Sequence, residues 1–419
     1  MSLLEGTAGI ALVIFALTYV VLGFGALPPL RVDRTGAALI GAVAMIGFGV
    51  LTPHDAVAAI DFDTIALLFG MMVLVAHLRM AGFFGWLGTR AMARARTPRQ
   101  LLVLMLWLSG AMSALFVNDT ACLLLTPLAL ETARGVRRSP LPYLLAVAMG
   151  ANIGSVATIV GNPQNMLVAS FSGISYARFA AVLAPVAVVG LAAATGILLW
   201  MFRRELAGAG TGEVEVAAIG RPAPAAVDPW LMGKATIVTG VLLVALLAGA
   251  KPSLAALLAA AALLVTRRID PQAIYAQVDW SLLTMFAGLF VVVAGVEHAG
   301  LTERAIEAIG RGAAQSLPAF LGVVVALSNL VSNVPAVLLL KSWVVHSATP
   351  ERMWLALAMA STLAGNFTLV GSVANLIVVE QARGEVKVGF WAYARVGVPV
   401  TIVTLALGVM WLSAATPTR

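Results

Sequence analysis

The chain has 419 residues, of which 61% are hydrophobic and only 11% charged, and a formal net charge of +7. Soluble domains carry roughly 25% charged residues, so the composition excludes an ordinary soluble domain and points to a polytopic all-α membrane protein. The lone cysteine, Cys122, excludes an internal disulfide and a cysteine-based metal site.

Apolar runs near the roughly 20 residues needed to cross about 30 Å of hydrocarbon begin with "GIALVIFALTYVVLGFGALPPL". The N-terminus lacks a basic n-region and an A-x-A-like site, so no cleavable signal peptide is expected. Two spans are predicted over residues 8–30 and 37–52, and a third from Asp61. The basic amphipathic stretch "FFGWLGTRAMARARTPRQ" follows. Next, "LFVNDTACLLLTPLAL" sets Asn118, Asp119 and Thr120 in the middle of an apolar segment. A carboxylate at the bilayer centre costs at least about 2.5–3.5 kcal/mol on insertion scales, so it is expected only where it is used or paired. The following span is interrupted at "GNPQN" (161–165), and a full span closes the unit near residue 203. Residues 204–231, rich in Gly, Pro and Glu, read as a cytoplasmic linker.

The second half repeats the first. "DFDTIALLFGMMVLVAHLRMAG" from Asp61 aligns with "DWSLLTMFAGLFVVVAGVEHAG" from Asp279. "AMSALFVNDTACLLL" aligns with "ALSNLVSNVPAVLLL", and "MGANIGSVATIVGNPQNMLVA" with "MASTLAGNFTLVGSVANLIVV". Asn118 thus meets Asn333, Gly161 meets Gly371 and Asn165 meets Asn375. Three matches in one order, at offsets of 218, 215 and 210, indicate internal duplication. The second unit has spans over 232–250 and 253–266, a third from Asp279, and the mixed stretch "LTERAIEAIGRGAAQ".

Charge distribution decides the topology. If the segments around Asn118 and Asn333 enter and return, arginines such as Arg34, Arg90, Arg94, Arg99, Arg134, Arg137 and Arg203 gather on one face. A full crossing would split the clusters "RARTPRQ" and "ARGVRRSP" between faces. The expected fold is therefore two inverted repeats, each of five transmembrane helices plus one re-entrant hairpin. The first repeat is 1–203, with its hairpin at 99–133 and its broken helix at 141–170. The second is 232–419, with its hairpin at 316–349 and its broken helix at 353–380. Both termini fall outside a cytoplasmic (inner) membrane.

Inverted repeats with helices broken at mid-membrane belong to secondary transporters, whose exposed helix ends hold substrate. Non-helical backbone at that depth is tolerated only in protein or along a wet cavity. The four interruptions should therefore meet at one site. The substrate-binding candidates are Asn118, Thr120, Gly161, Asn162, Asn165, Ser332, Asn333, Gly371, Ser372 and Asn375. Asp119 is the candidate for proton or cation coupling. Lys341, about two turns past the second tip, either snorkels outward, the favoured reading, or projects a cation toward the site. Asp61 and Asp279 read as N-terminal caps of their spans. Cys122 reads as packing. No nucleophile–base pair or metal cluster stands out, so an enzyme is not expected, nor is a nucleic-acid partner.

The whole chain resembles the ion-transporter superfamily of arsenite-efflux permeases, sodium/proton antiporters and sodium-coupled divalent-anion symporters. "NDTACLLLTPLAL", "ANIGSVATIVGNPQNMLVA" and "STLAGNFTLVGSVANLIVVEQAR" are most similar to plant silicon-efflux transporters and their bacterial relatives. The resemblance implies paired re-entrant hairpins, a homodimer through a scaffold region, and substrate and coupling ion at the tips and breaks. The divalent-anion symporters carry Ser-Asn-Thr at both tips, whereas this chain has Val117-Asn118-Asp119 and Ser332-Asn333-Val334. An ionised Asp119 would repel a dianion in a low-dielectric cavity. A neutral metalloid hydroxide, arsenous or silicic acid, escapes that penalty. Burial favours the protonated form of a carboxyl, which suits proton exchange. The expected function is proton-coupled efflux of such a hydroxide by alternating access, with H+ as coupling ion and no cofactor. Sodium-coupled symport of an inorganic or carboxylate anion and cation/proton antiport are the alternatives.

Overall fold

The computed structural model describes residues 2–24, 26–27, 32–207, 227–266, 268–302, 304 and 316–416. Most of the expected linker and most of the 301–315 stretch lie outside these residues.

The first half runs α1 (Ser2–Phe24), α2 (Arg34–Gly47), the short α3 (Pro53–Ala58), α4 (Phe62–Met80), α5 (Phe83–Met92), α6 (Pro98–Phe116), α7 (Asn118–Gly135), α8 (Leu141–Ser155), α9 (Pro163–Ser172), α10 (Tyr176–Met201) and the single turn α11 (Arg203–Leu206). The second half follows this order, with no counterpart of α5 or α11 among the described residues: α12 (Pro229–Leu247), α13 (Pro252–Leu264), the short α14 (Pro271–Tyr275), α15 (Trp280–His298), α16 (Leu317–Val331), α17 (Asn333–Val345), α18 (Pro350–Ala364), α19 (Val373–Ala382) and α20 (Phe390–Ala415). The first expected span, 8–30, ends sooner, at Phe24. It gives way to a two-residue ribbon, β1 (Ala26–Leu27) against β2 (Val32–Asp33), in which Ala26 faces Asp33.

Local chemistry sets these boundaries. Asp33, Thr52, Asp61, Thr97, Asn162, Ser175, Asp228 and Asp279 each cap a helix start with a side-chain oxygen, which satisfies one of the N–H groups that a first turn leaves free. Among the described residues, seven helices are long and apolar enough to cross a membrane, and the protein is an integral membrane protein. Val43, Ile237, Val241 and Trp391 are about two-thirds or more exposed, as side chains facing lipid tails would be. Arg90 lies over the Trp86 ring, Arg203 over Trp200 and Arg268 over Trp230, at 5.8, 5.8 and 5.1 Å. Such pairs anchor helix ends at a headgroup boundary.

The halves interlock reciprocally. Helix α4 of the first half packs on α13 of the second, and α15 packs on α2. The crossings are closest at the paired glycines. A Cβ on Gly70 would lie 2.7 Å from the Ala256 backbone, and one on Gly288 would lie 2.8 Å from that of Ala38. Likewise α7 packs on α19 and α9 on α17, while α10 packs on α20. These crossed pairings carry the polar interruptions of both halves to one interior region.

Candidate functional site

Two helix pairs turn back within a single residue. Val117 joins α6 to α7 with φ +78°, and Ser332 joins α16 to α17 with φ +78°. This left-handed conformation costs a non-glycine residue about 1–3 kcal/mol, and it persists only where the surroundings enforce it. Helices α8 and α18 instead end in 3₁₀ turns, Ile159–Gly161 and Leu369–Gly371, before α9 and α19 begin. Gly161 is obligatory at that break, because a Cβ there would lie 2.2 Å from the Ser155 carbonyl oxygen.

The starts of α7, α9, α17 and α19 converge on one cavity of about 210 Å³. Asn118 and Asp119 come from α7, Pro163 and Gln164 from α9, Asn333 and Val334 from α17, and Val373 from α19, with Ser332 and Ser372 at the caps. Arg34 and Asp279 close it from α2 and the start of α15. A second cavity, of about 350 Å³, shares Asp119, Pro163, Asp279, Leu282 and Val373 with the first and runs past Thr120 to Arg79 and Gln277. There Arg79 donates to Gln277 Oε1 at 3.2 Å. A third cavity lies at the other end of α4, beside Asp63 and Lys251, about 24 Å from Arg79 at 1.5 Å per residue. Asp119 therefore communicates with one end of the bundle.

Free N–H groups and the positive ends of four helix dipoles face the central cavity. The first turn of α7 also carries two acceptors. Asn118 is 4% exposed, its Nδ2 donates to Asn152 Oδ1 at 3.3 Å, and its Oδ1 has no partner among the described residues. No described residue hydrogen-bonds or ion-pairs with the Asp119 carboxylate either. The wall thus offers donors together with the Asp119 carboxylate.

Behind the wall lies a buried amide network. Asn152 Nδ2 donates to Asn366 Oδ1 and Asn375 Oδ1 at 2.9 and 3.0 Å, and its Oδ1 accepts from Ser372 Oγ at 3.1 Å. Asn162 Nδ2 donates to Ser155 Oγ (2.9 Å) and Thr362 Oγ1 (3.1 Å), and Gln164 donates to the same Thr362 Oγ1 (3.2 Å). Asn333, with its amide oriented to satisfy both ends, donates to Ser361 O and Gly371 O and accepts from Gln164 at 3.0, 3.2 and 3.3 Å. Asn165 Nδ2 donates to Ser155 O and Thr158 O, each at 2.9 Å. Asn375 Nδ2 donates to Gly365 O and Thr368 O at 2.7 and 3.2 Å.

All four interruptions are therefore neighbours, but they divide into two layers. Asn118, Asp119, Ser332, Asn333 and Ser372 line the central cavity, and Thr120 lines only the second one. Gly161, Asn162, Asn165, Gly371 and Asn375 lie behind, shaping the backbone. Lys341 lines neither cavity; its ammonium sits 4.7 Å over the Phe171 ring. Sequence reasoning passed over Asn152, Gln164, Thr362, Asn366 and Arg34. It also passed over the cavity-facing side of Asp279, which caps α15 as expected through Leu282 N.

Comparison with known proteins places this geometry. A family model described as the CitMHS citrate transporter matches residues 10–364. The chain belongs to that family. It is 34% identical to the silicon efflux transporter LSI3 of Oryza sativa subsp. japonica, covering 95% of this chain and 96% of that one. It is also 31% identical to an uncharacterized transporter of Mycobacterium tuberculosis, covering 95% and 98%. Among solved structures, the YdaH transporter of Alcanivorax borkumensis matches with a TM-score of 0.56 over 99% of both chains at 13% identity, a likeness of fold.

Proposed function

We propose that this family member is a secondary transporter that expels a small neutral metalloid hydroxide, silicic or arsenous acid, in exchange for protons. The observation that carries this reading is the Asp119 carboxylate, without a hydrogen-bond or ion-pair partner among the described residues, in one small cavity with the starts of α17 and α19. Each hydroxyl of such a substrate is at once a donor and an acceptor. It can donate to the Asp119 carboxylate while accepting from the N–H groups of α17 and α19. A fully ionised anion has no hydrogen to give this acceptor, and it would meet two carboxylates, Asp119 and Asp279.

Asp119 is the coupling group. Ionised, it accepts a substrate hydroxyl; protonated, it loses an acceptor site and the substrate leaves. Proton and substrate thus exclude one another, which is antiport. The reciprocal packing of the halves supports inverted repeats that alternate about this site. The end carrying Arg34, Arg79 and Asp279 is the cytoplasmic one by its basic residues.

A second reading, sodium-coupled symport of a carboxylate, is favoured by Arg34 in the cavity and by the family's citrate description. Purified protein in vesicles separates the two. A pH gradient without sodium should drive arsenite or germanic acid movement. Movement of citrate that requires a sodium gradient, with no metalloid flux, would replace the first reading by the second.

A further inference from the structure

Asp61 and Asp279 occupy matching places in the two halves, and each caps a span with one carboxylate oxygen, toward Thr64 N at 3.1 Å and Leu282 N at 2.9 Å. Their second oxygens differ. That of Asp61 accepts from Ser170 Oγ at 2.6 Å, which ties the start of α4 to the last turn of α9, and those two helices pack together. The residue matching Ser170 in the second half is Glu380, on α19. No described residue hydrogen-bonds to the second oxygen of Asp279. Glu380 is exposed and pairs at 3.2 Å with Arg383, the residue that caps the end of α19, and α15 and α19 have no packing comparable to that of α4 on α9. One end of the bundle is latched, and the matching latch at the other end is open.

We propose that Asp279 and Glu380 form a second proton-binding site, assembled when the carrier closes the Arg79 end and opens the other. The proposal rests on the alternating-access reading above. Repeats that exchange roles would bring α19 against α15 as α9 now lies against α4. A serine latches onto a carboxylate without any added proton. Two carboxylates repel at contact distance, and they bond strongly once one proton is shared as O–H···O⁻. Water at the Arg79 end supplies that proton on closure and takes it back on reopening, so it does not cross the membrane. It sets how readily the carrier turns.

The charged groups facing Asp279 are Arg34 of α2, Arg79 of α4 and Asp119 of α7, which share its cavities. His77, in the last turn of α4, is fully buried with its Nδ1 2.8 Å from Val73 O, and the other charged side chains described on helices packed against α15, at His54, Asp55, Asp63 and Lys341, belong to its opposite end. Glu380 faces Arg383, and α7, packed on α19, carries Asp119, Glu131 and Arg134, the last held by Glu385. Helix α8, the other neighbour of α19, bears no charge.

The test uses full-length protein in vesicles, with Cys122→Ala, with Asp119→Asn so that the coupling carboxyl of the same cavities does not titrate, and with a single reporter, Ser332→Cys, in the central cavity. A membrane-impermeant maleimide on the side opposite the Arg79 end reports how often the cavity faces that side. Lowering the pH at the Arg79 end should raise labelling by about tenfold per pH unit above the pair's titration, as a one-proton step requires. Adding Glu380→Ser, which recreates the Asp61–Ser170 chemistry, should flatten this to within about twofold while labelling persists. A pH response that survives Glu380→Ser, or its absence with Glu380 in place, overturns the proposal. In the Cys122→Ala background without the reporter, Asp279→Cys/Glu380→Cys should form a disulfide, as should Asp61→Cys/Ser170→Cys. Crosslinking of the second pair alone also overturns it. Labelling needs no substrate, so loss of metalloid transport would sink the proposed function and leave this result readable.

Discussion

Asn165 and Asn375 do the same work in opposite halves of the chain. Each amide holds two carbonyls where a helix has just been broken, and each lies three residues past the cap of the next helix. Replacing Asn375 with alanine leaves the buried Gly365 carbonyl and the part-buried Thr368 carbonyl without that donor, and Asn152 without one of its acceptors. The expected loss is about 1–3 kcal/mol per orphaned group, read as a thermal midpoint in detergent lower by several degrees. A midpoint equal to wild type would mean that the network does not hold the break.

Asp119→Asn keeps the size and removes the exchangeable proton. Flux driven by a pH gradient should fall by about a hundredfold or more, the scale of losing a positioned proton carrier, while the protein remains monodisperse. Vesicle transport with undiminished proton-driven flux in this variant would take the coupling role away from Asp119.

Arg34 separates the two transport readings. Its guanidinium lines the central cavity and its Nε donates to Leu22 O at 3.1 Å. For a neutral hydroxide, Arg34→Gln should change the apparent affinity by less than about threefold. For a multiply charged carboxylate, loss of a charge-assisted contact worth about 1.5–3 kcal/mol should weaken it by tenfold or more. Concentration dependence of uptake decides.

Two glycine substitutions should diverge. Gly161→Ala forces a Cβ into the Ser155 backbone and should cost folded yield. Gly240→Ala lies in α12, where a Cβ would meet nothing within 4 Å, and should be neutral or stabilising by up to about 1 kcal/mol from helix propensity. Size-exclusion profiles and melting curves of the two variants test this.

Asp228 caps α12 outside the spans. The Leu231 backbone N–H, aided by Arg268, holds its carboxyl below the usual range. A lowered folded-state pKa contributes stability above the unfolded value, near 3.8, and loses it as pH falls through the folded value. The melting difference between wild type and Asp228→Ala should therefore be present at neutral pH and shrink below about pH 4. A difference independent of pH would assign the effect to helix geometry.

Much of the fold was legible because hydrophobic length, repeated motifs and cap residues are local signals. The Asp61 and Asp279 caps and the helix boundaries near 98, 118, 333 and 350 fall where those signals lie. The convergence of the tips and breaks also follows from the motifs, since polar interruptions in apolar segments must find one another or water. Asn152, Thr362 and Asn366 were not legible. They sit in or just beyond α8 and α18, which are buried on all sides, so no amphipathic stripe marks a functional face. The unoccupied side of Asp279 was hidden for a different reason. A cap predicts one bond, and only the three-dimensional comparison with Asp61 reveals that the other oxygen has no partner among the described residues.

The single-residue reversals at Val117 and Ser332 leave these tips no slack. A loop of several residues could flap open and shut over a bound solute, but one strained residue between two packed helices cannot. Whatever grants the solute passage must carry α6 with α7, and α16 with α17, as undivided pieces. The turnover rate of this carrier should then follow the friction of large bodies sliding through lipid, and so respond to bilayer thickness and fluidity more than to substitutions at the tips themselves.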